Sequence, residues 1–169
     1  FDADKMIKKS LYDLKLLNIN SSIKYLDEFE KGINVGINFN GPLYDGTKGS
    51  VCFLLLNIST RRKPVLPPCT TKIKTIYREF PDFDVYTMDP KEILAEKIAA
   101  IHERNKPRDV YDAWFLLKRM SVKMDKGLVR KKLKKEFNAK FFIEKVTEKS
   151  KFWDAELGKL VIGQLPQFS

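Results

Sequence analysis

The sequence predicts an α+β fold, a mixed sheet packed by helices, with a helical C-terminal part. Three observations carry that expectation. Apolar residues recur at helical spacing from Asp4 to about Asn18, alternate at strand spacing from Ile33 to Phe39, and return to helical spacing behind a strong start signal at Asp89-Pro90.

The first helix is read from Met6, Ile7, Leu11, Leu14 and Leu17, spaced by three and four residues. A second helix is expected from Ser22 to Phe29, ended by Gly32. Ile33, Val35, Ile37 and Phe39 then alternate with Asn34, Gly36, Asn38 and Asn40, which predicts a strand with one buried face. Gly41, Gly46 and Gly49 do not match a phosphate-loop spacing and are read as glycines of a long hairpin loop. The apolar run that follows, Val51 to Ile58, lacks polar alternation, so a strand covered on both sides is expected.

Arg61-Arg62-Lys63-Pro64 and Pro67-Pro68 end that strand, because proline lacks the amide a ladder needs. Short strands are expected around Ile73 to Tyr77 and Phe83 to Thr87. Asp89 as N-cap, Pro90 at the first helical position and Glu92 in the first turn predict a helix to about Glu103. Asn105-Lys106-Pro107 breaks it, and the next helix is expected from Arg108 to Met120 with Val110, Ala113, Trp114 and Leu117 on one stripe. Within the lysine-rich stretch 118–151, Val129, Leu133 and Phe137 fall at four-residue steps and predict a helix with a thin apolar seam and a broad basic face.

Composition narrows the class of function. The chain is 43% hydrophobic and 12% aromatic over 169 residues, enough apolar material for a core, which argues against disorder. Thirty-two basic and twenty-two acidic residues give a net charge of +10, a field that attracts RNA, DNA or anionic lipid. Cys52 and Cys69 form neither a metal nor a disulfide framework, and a reducing cytoplasm fits them. No stretch approaches the eighteen apolar residues of a membrane span.

Placed on a wheel of about 100° per residue, Ile93, Leu94, Ile98, Ala100 and Ile101 form the buried stripe of the helix after Asp89. Lys97 falls inside that stripe, Arg104 lies near its azimuth, and Glu92, Glu96 and Glu103 group on a separate, solvated side. Two readings of Lys97 are open: its stem packs while the charge reaches water, or its ammonium holds a phosphate. Asp109 and Asp112 share a face of the next helix. They either complement the helix dipole, or bind a metal, take a proton or orient basic groups beside them. His102 maps roughly opposite Lys97 and is read as a surface residue, and Ser59-Thr60 has no base nearby.

The run Ile93-Leu94-Ala95-Glu96-Lys97-Ile98-Ala99-Ala100-Ile101, then Arg104, then Lys106-Pro107-Arg108-Asp109-Val110-Tyr111-Asp112-Ala113-Trp114, resembles the signature of the AbiEii/AbiGii nucleotidyltransferase toxin family. The Gly41-Pro42 hairpin, the strand ending Leu55-Leu56-Asn57-Ile58-Ser59 and the closing Leu165-Pro166-Gln167-Phe168 are similar too. The resemblance implies a polymerase-beta-like nucleotidyltransferase fold that moves a nucleoside monophosphate from a nucleoside triphosphate, with Mg2+, onto an RNA acceptor, for relatives with known targets the acceptor end of transfer RNA. It implies a toxin of type IV toxin–antitoxin and abortive-infection systems, hence an antitoxin partner. By it, Lys97 and Asp109 would be the catalytic pair, and Lys97, Arg104, Arg108 and Asp112 would hold the nucleotide.

This chain departs from the family pattern in two places. The glycine-serine motif and paired metal carboxylates are expected just before the first helix, where the chain begins; Phe1 would follow that pair, and Asp2 and Asp4 are a fallback for it. Asn57 stands where the family has a third aspartate, and a neutral amide is a weaker ligand for a hard cation. Residues 1–120 are therefore expected to form a nucleotidyltransferase-like core lacking its N-terminal motif, inactive by itself, and 121–169 a basic helical part. The alternative is a catalytically inactive relative that binds nucleic acid or an antitoxin.

Overall fold

A computed structural model describes residues 3–60, 63–76, 78 and 81–168. Its first helix, α1 (Ala3–Leu16), forms where the apolar spacing places it and buries Ile7 against the strands that follow. Those strands are β1 (Ser21–Phe29), β2 (Gly32–Phe39) and β3 (Cys52–Ser59), an antiparallel sheet in the order β1-β2-β3. Ile33, Val35 and Ile37 of the central strand meet Ile7, with Leu11, Ile23, Leu26, Leu56 and Ile58 packed around them.

The helix expected from Ser22 to Phe29 is β1 instead, and a β-bulge explains the error. The register shifts between Ile23 and Tyr25, so Ile23 pairs with Ile37 and Leu26 with Val35. A bulge puts residues three apart on one face, which imitates helical spacing in the sequence. The expectation for β3 is also corrected: Phe53, Leu54 and Leu55 are exposed, because β3 is an edge strand.

The long loop between β2 and β3 is held by Asp45. Its Oδ1 accepts from Thr47 N, Thr47 Oγ1 and Ser50 Oγ at 2.9, 2.7 and 2.6 Å, and the hydroxyl bonds of Ser50 and Thr47 bring its carboxyl down to about 2. Gly46 has φ of 91°, a left-handed turn position that suits a residue without a Cβ.

The packing divides the chain into two compact units, Phe1–Lys63 and Pro64–Ser169. The second opens with β4 (Cys69–Ile73) antiparallel to β5 (Phe83–Thr87). The strand expected at Ile73 to Tyr77 therefore lies earlier, starting directly after Pro67-Pro68; Tyr77 lies outside the described residues. Helix α2 (Pro90–Glu103) follows, capped by Asp89 Oδ1, which accepts from Lys91 N at 2.8 Å.

Helix α3 (Pro107–Trp114) does not run regularly to Met120 but passes into a π-helical turn, Phe115–Arg119. The buried face runs through Asp109, Ala113 and Leu116 at ordinary helical steps, so Leu116 is buried and the expected Leu117 is exposed. Next come α4 (Lys126–Leu133), α5 (Ala139–Glu148) and α6 (Trp153–Leu157). The helix expected through Phe137 ends at Leu133, because Lys134 turns left-handed; Phe137 reaches the core from the following loop. Leu128, Val129 and Leu133 pack on Leu94, Ala95, Ile98, Ala99 and Ile101, so the expected boundary at 120/121 falls inside one core.

A Cβ on Gly32 would lie 2.6 Å from the Ile58 carbonyl oxygen and 2.9 Å from the Phe29 ring. Gly32→Ala is expected to cost about 1–3 kcal/mol of stability, measured by urea unfolding, where a strand alanine usually does no harm.

Candidate functional site

The site is built on the α2–α3 corner. Pro107 at the start of α3 and the extended Arg104 that ends α2 (φ −143°, ψ 156°) make the corner tight, with Arg104 N donating to Ala100 O at 2.9 Å. This geometry turns the first carboxylate of α3 back toward the preceding helix. Asp109 is 0% exposed. Arg104 grips it with two bonds, Nε to Oδ2 at 2.7 Å and Nη2 to Oδ1 at 2.8 Å.

Lys97, also from α2, reaches the same carboxylate. Its Nζ lies 3.4 Å from Asp109 Oδ1 and 2.5 Å from Asp112 Oδ2, with the side chain 27% exposed. The structure thus brings Lys97, Arg104, Asp109 and Asp112 together, while Arg108 is exposed and outside these bonds. An ammonium has three donors, and two of them are occupied here.

Burial pushes the Asp109 carboxyl up, but the Arg104 hydrogen bonds and the charges of Arg104 and Lys97 outweigh it and hold the group below its ordinary range. Asp109 in return raises the Arg104 guanidinium. A carboxylate so held is a poor proton acceptor, and its chemistry here is to fix two cations.

Two further buried charges, missed in the sequence, lie at the opposite end of α2 and on α4. Glu92, expected on the solvated side, is fully buried: it accepts from Val65 N at 2.7 Å, Leu66 N at 2.8 Å and Lys132 Nζ at 2.5 Å. Lys132, 4% exposed, also donates to Glu96 at 2.7 Å. Burial opposes both charges, yet the bonds between them keep the Glu92 carboxyl lowered and the Lys132 ammonium raised. A lysine inside the Leu128, Val129 and Leu133 seam was the available signal.

Lys149, 1% exposed, donates to Ile101 O at 2.9 Å and Lys145 O at 2.8 Å, and burial lowers its ammonium. His102 is not a free surface residue either. Its ring packs near Phe137, Phe141 and Phe142 with centroids 5.4–6.2 Å away, and Nδ1 lies 2.9 Å from Ile98 O. An apolar cavity of about 240 Å³ beside α3, lined by Trp114, Phe142, Trp153 and Phe168, holds none of the site groups.

Among the described residues, those expected to hold Mg2+ do not form a carboxylate cluster. Asn57, on β3, donates from Nδ2 to Asn34 Oδ1 at 2.6 Å across the strand pair. Asp4 sits in α1 and is paired with Lys8 at 2.6 Å; Asp2 lies outside the described residues. Among the described residues no group of three His, Cys, Asp or Glu side chains could hold a metal. Cys52 and Cys69 are free, and no helix of the described residues is long and apolar enough to cross a membrane.

An α+β chain with antiparallel sheets and this helical corner has the architecture of the nucleotidyltransferase class. The family model described as nucleotidyl transferase AbiEii toxin, type IV TA system, matches residues 20–163, and the chain belongs to that family. The family is one of toxins, whose systems pair them with antitoxins. No curated protein and no solved structure matches the sequence.

Asp109→Asn removes the charge that both cations share, and is expected to lower stability by about 1–3 kcal/mol in thermal or urea unfolding. The pH dependence carries the sign. Because the folded carboxyl lies below its ordinary value of 3.8, folding releases no proton above that value and must expel one below it. Stability from this group is complete above about pH 4 to 5 and is lost as pH falls through the lowered folded value, so wild type should lose more than the Asn variant in acid.

Proposed function

We propose that the protein transfers a nucleoside monophosphate from a nucleoside triphosphate to an RNA acceptor, a transfer RNA, acting as the toxin of its pair. One observation supports this reading above all: in a nucleotidyltransferase-family chain, the Lys97 ammonium is held at a partly exposed edge by Asp109 and Asp112. In the reaction an acceptor hydroxyl oxygen attacks the α-phosphorus and gives its proton to solvent water, the bond to the β-phosphate breaks, and pyrophosphate leaves with the negative charge. Lys97 is the group to stabilise that charge, and a preorganised cation does so without reorganising at the moment of reaction.

Arg104 and Arg108 would add positive charge for the triphosphate, and Asp112 sets the direction of the lysine. Asp109 is a positioning residue in this reading, since its oxygens are committed to Arg104 and Lys97. Magnesium dependence belongs to the same proposal, as does a cytoplasmic location, where the acceptor would be met. Transfer that persists undiminished after exhaustive chelation would refute the metal requirement.

A second reading, a non-catalytic module that binds nucleic acid or an antitoxin, is favoured by the neutral Asn57–Asn34 pair. Transfer of labelled nucleotide to total transfer RNA, tried with each of the common triphosphates, separates the two. For the full protein the first reading expects incorporation, and Lys97→Ala should reduce it by at least about a hundredfold while leaving the unfolding midpoint within a few degrees. Binding of RNA with no incorporation from any triphosphate would instead establish the module.

A further inference from the structure

The decade 126–135 contains six basic residues and no acidic one. The fold sorts them into two groups. Lys132 turns inward to Glu92 and Glu96, whereas Lys126, Arg130, Lys131, Lys134 and Lys135 stay exposed. Arg130, Lys131, Lys134 and Lys135 line one concavity with Gly127 and Glu136. Glu136 is bound to Arg130 at 2.8 Å, and among the described residues no acidic side chain lies within ion-pair distance of Lys131, Lys134 or Lys135.

Two details go beyond a solvated basic helix. Lys134 terminates α4 with φ of 55° and ψ of 23°, a conformation in which a Cβ is strained and which helix ends usually give to glycine. A charge thus occupies a position where chain geometry alone selects its absence. Beside it the exposed ring of Phe141 lies under two cations, Lys135 Nζ at 5.3 Å and Lys145 Nζ at 5.6 Å from its centroid. Unpaired cations clustered on one concave face are the chemistry that a nucleic-acid backbone meets, phosphates on the lysines.

We propose that the α4 face formed by Arg130, Lys131, Lys134 and Lys135, with Phe141 at its edge, seats the phosphodiester backbone of the RNA acceptor. The proposal rests on the reading that RNA is the acceptor, and adds where it docks. The dipole of α4 also favours cations in its last turn, but that effect needs only their charge at the helix end and no bound partner.

The test uses the full-length protein and a fluorescein-labelled RNA hairpin with a single-stranded 3′ tail, followed by anisotropy over a salt series of about 50 to 200 mM. Combining Lys131→Gln, Lys134→Gly and Lys135→Gln should make the slope of log affinity against log salt shallower by about 2 to 3, with ATP binding unchanged. Lys134→Gly alone should melt at the same temperature or higher, yet bind the hairpin about threefold more weakly. An unchanged slope in the triple variant, with wild type binding well, overturns the face and leaves the proposed function standing, as would loss of an acidic protein partner with RNA affinity intact. A lower melting temperature for Lys134→Gly overturns the argument that charge places the lysine there. Wild-type protein that fails to bind RNA at all removes the acceptor reading and this face with it.

Discussion

The buried carboxylate of Asp109 is the constraint around which the second unit is arranged. A carboxylate with no exposure is tolerable only if its lone pairs are taken by donors that replace water, and here Arg104 and Lys97 replace it. Meeting that requirement determines the corner between α2 and α3. Arg104 must leave the helix as extended backbone to reach back, and Pro107 must start the next helix immediately afterwards. The lysine that a phosphate would meet is aimed as a by-product of satisfying the carboxylate.

A second buried network repeats the logic one turn earlier. Glu92 draws in two backbone amides from the segment before β4 and the ammonium of Lys132 from α4. It links three parts of the chain that are far apart in sequence, and by turning Lys132 inward it decides which neighbouring cations remain outside. Lys149 completes the set by holding the Ile101 carbonyl near the end of α2. In a chain of such high positive charge, the fold uses a few lysines as internal donors and leaves the rest to the surface.

Much of this was legible in the sequence, and the failures have definite causes. Asp89-Pro90 marks the start of α2 because capping chemistry is local, but its apolar stripe was read off centre: Ala95 and Ala99 are buried, whereas Ile93, Lys97 and Ala100 are only partly so. The strand β1 was mistaken for a helix because its bulge gives Ile23 and Leu26 a common face three residues apart. The stripe of α3 was read one position off, since Asp109, Ala113 and Leu116 face inward and Leu117 does not. Glu92 was placed in water because a wheel registers azimuth, whereas its burial depends on Val65, Leu66 and Lys132 arriving from elsewhere. The roles of Lys97 and Asp109 in catalysis were suggested by family likeness; their contact is a property of the fold.

By itself, then, the sequence determined what is short-ranged: helix starts and stops, the alternation of β2, the pairing potential of residues three and four apart, and a family signature densest in two adjacent helices. Tertiary structure alone decided which charges are buried and with whom, because the cost of desolvating a carboxylate or an ammonium is set by partners distant in the chain. The clamp on Asp109 spans twelve residues or fewer and could be suspected from its spacing. The bond from Lys132 to Glu92 spans forty, and nothing short of the folded chain brings those two groups together.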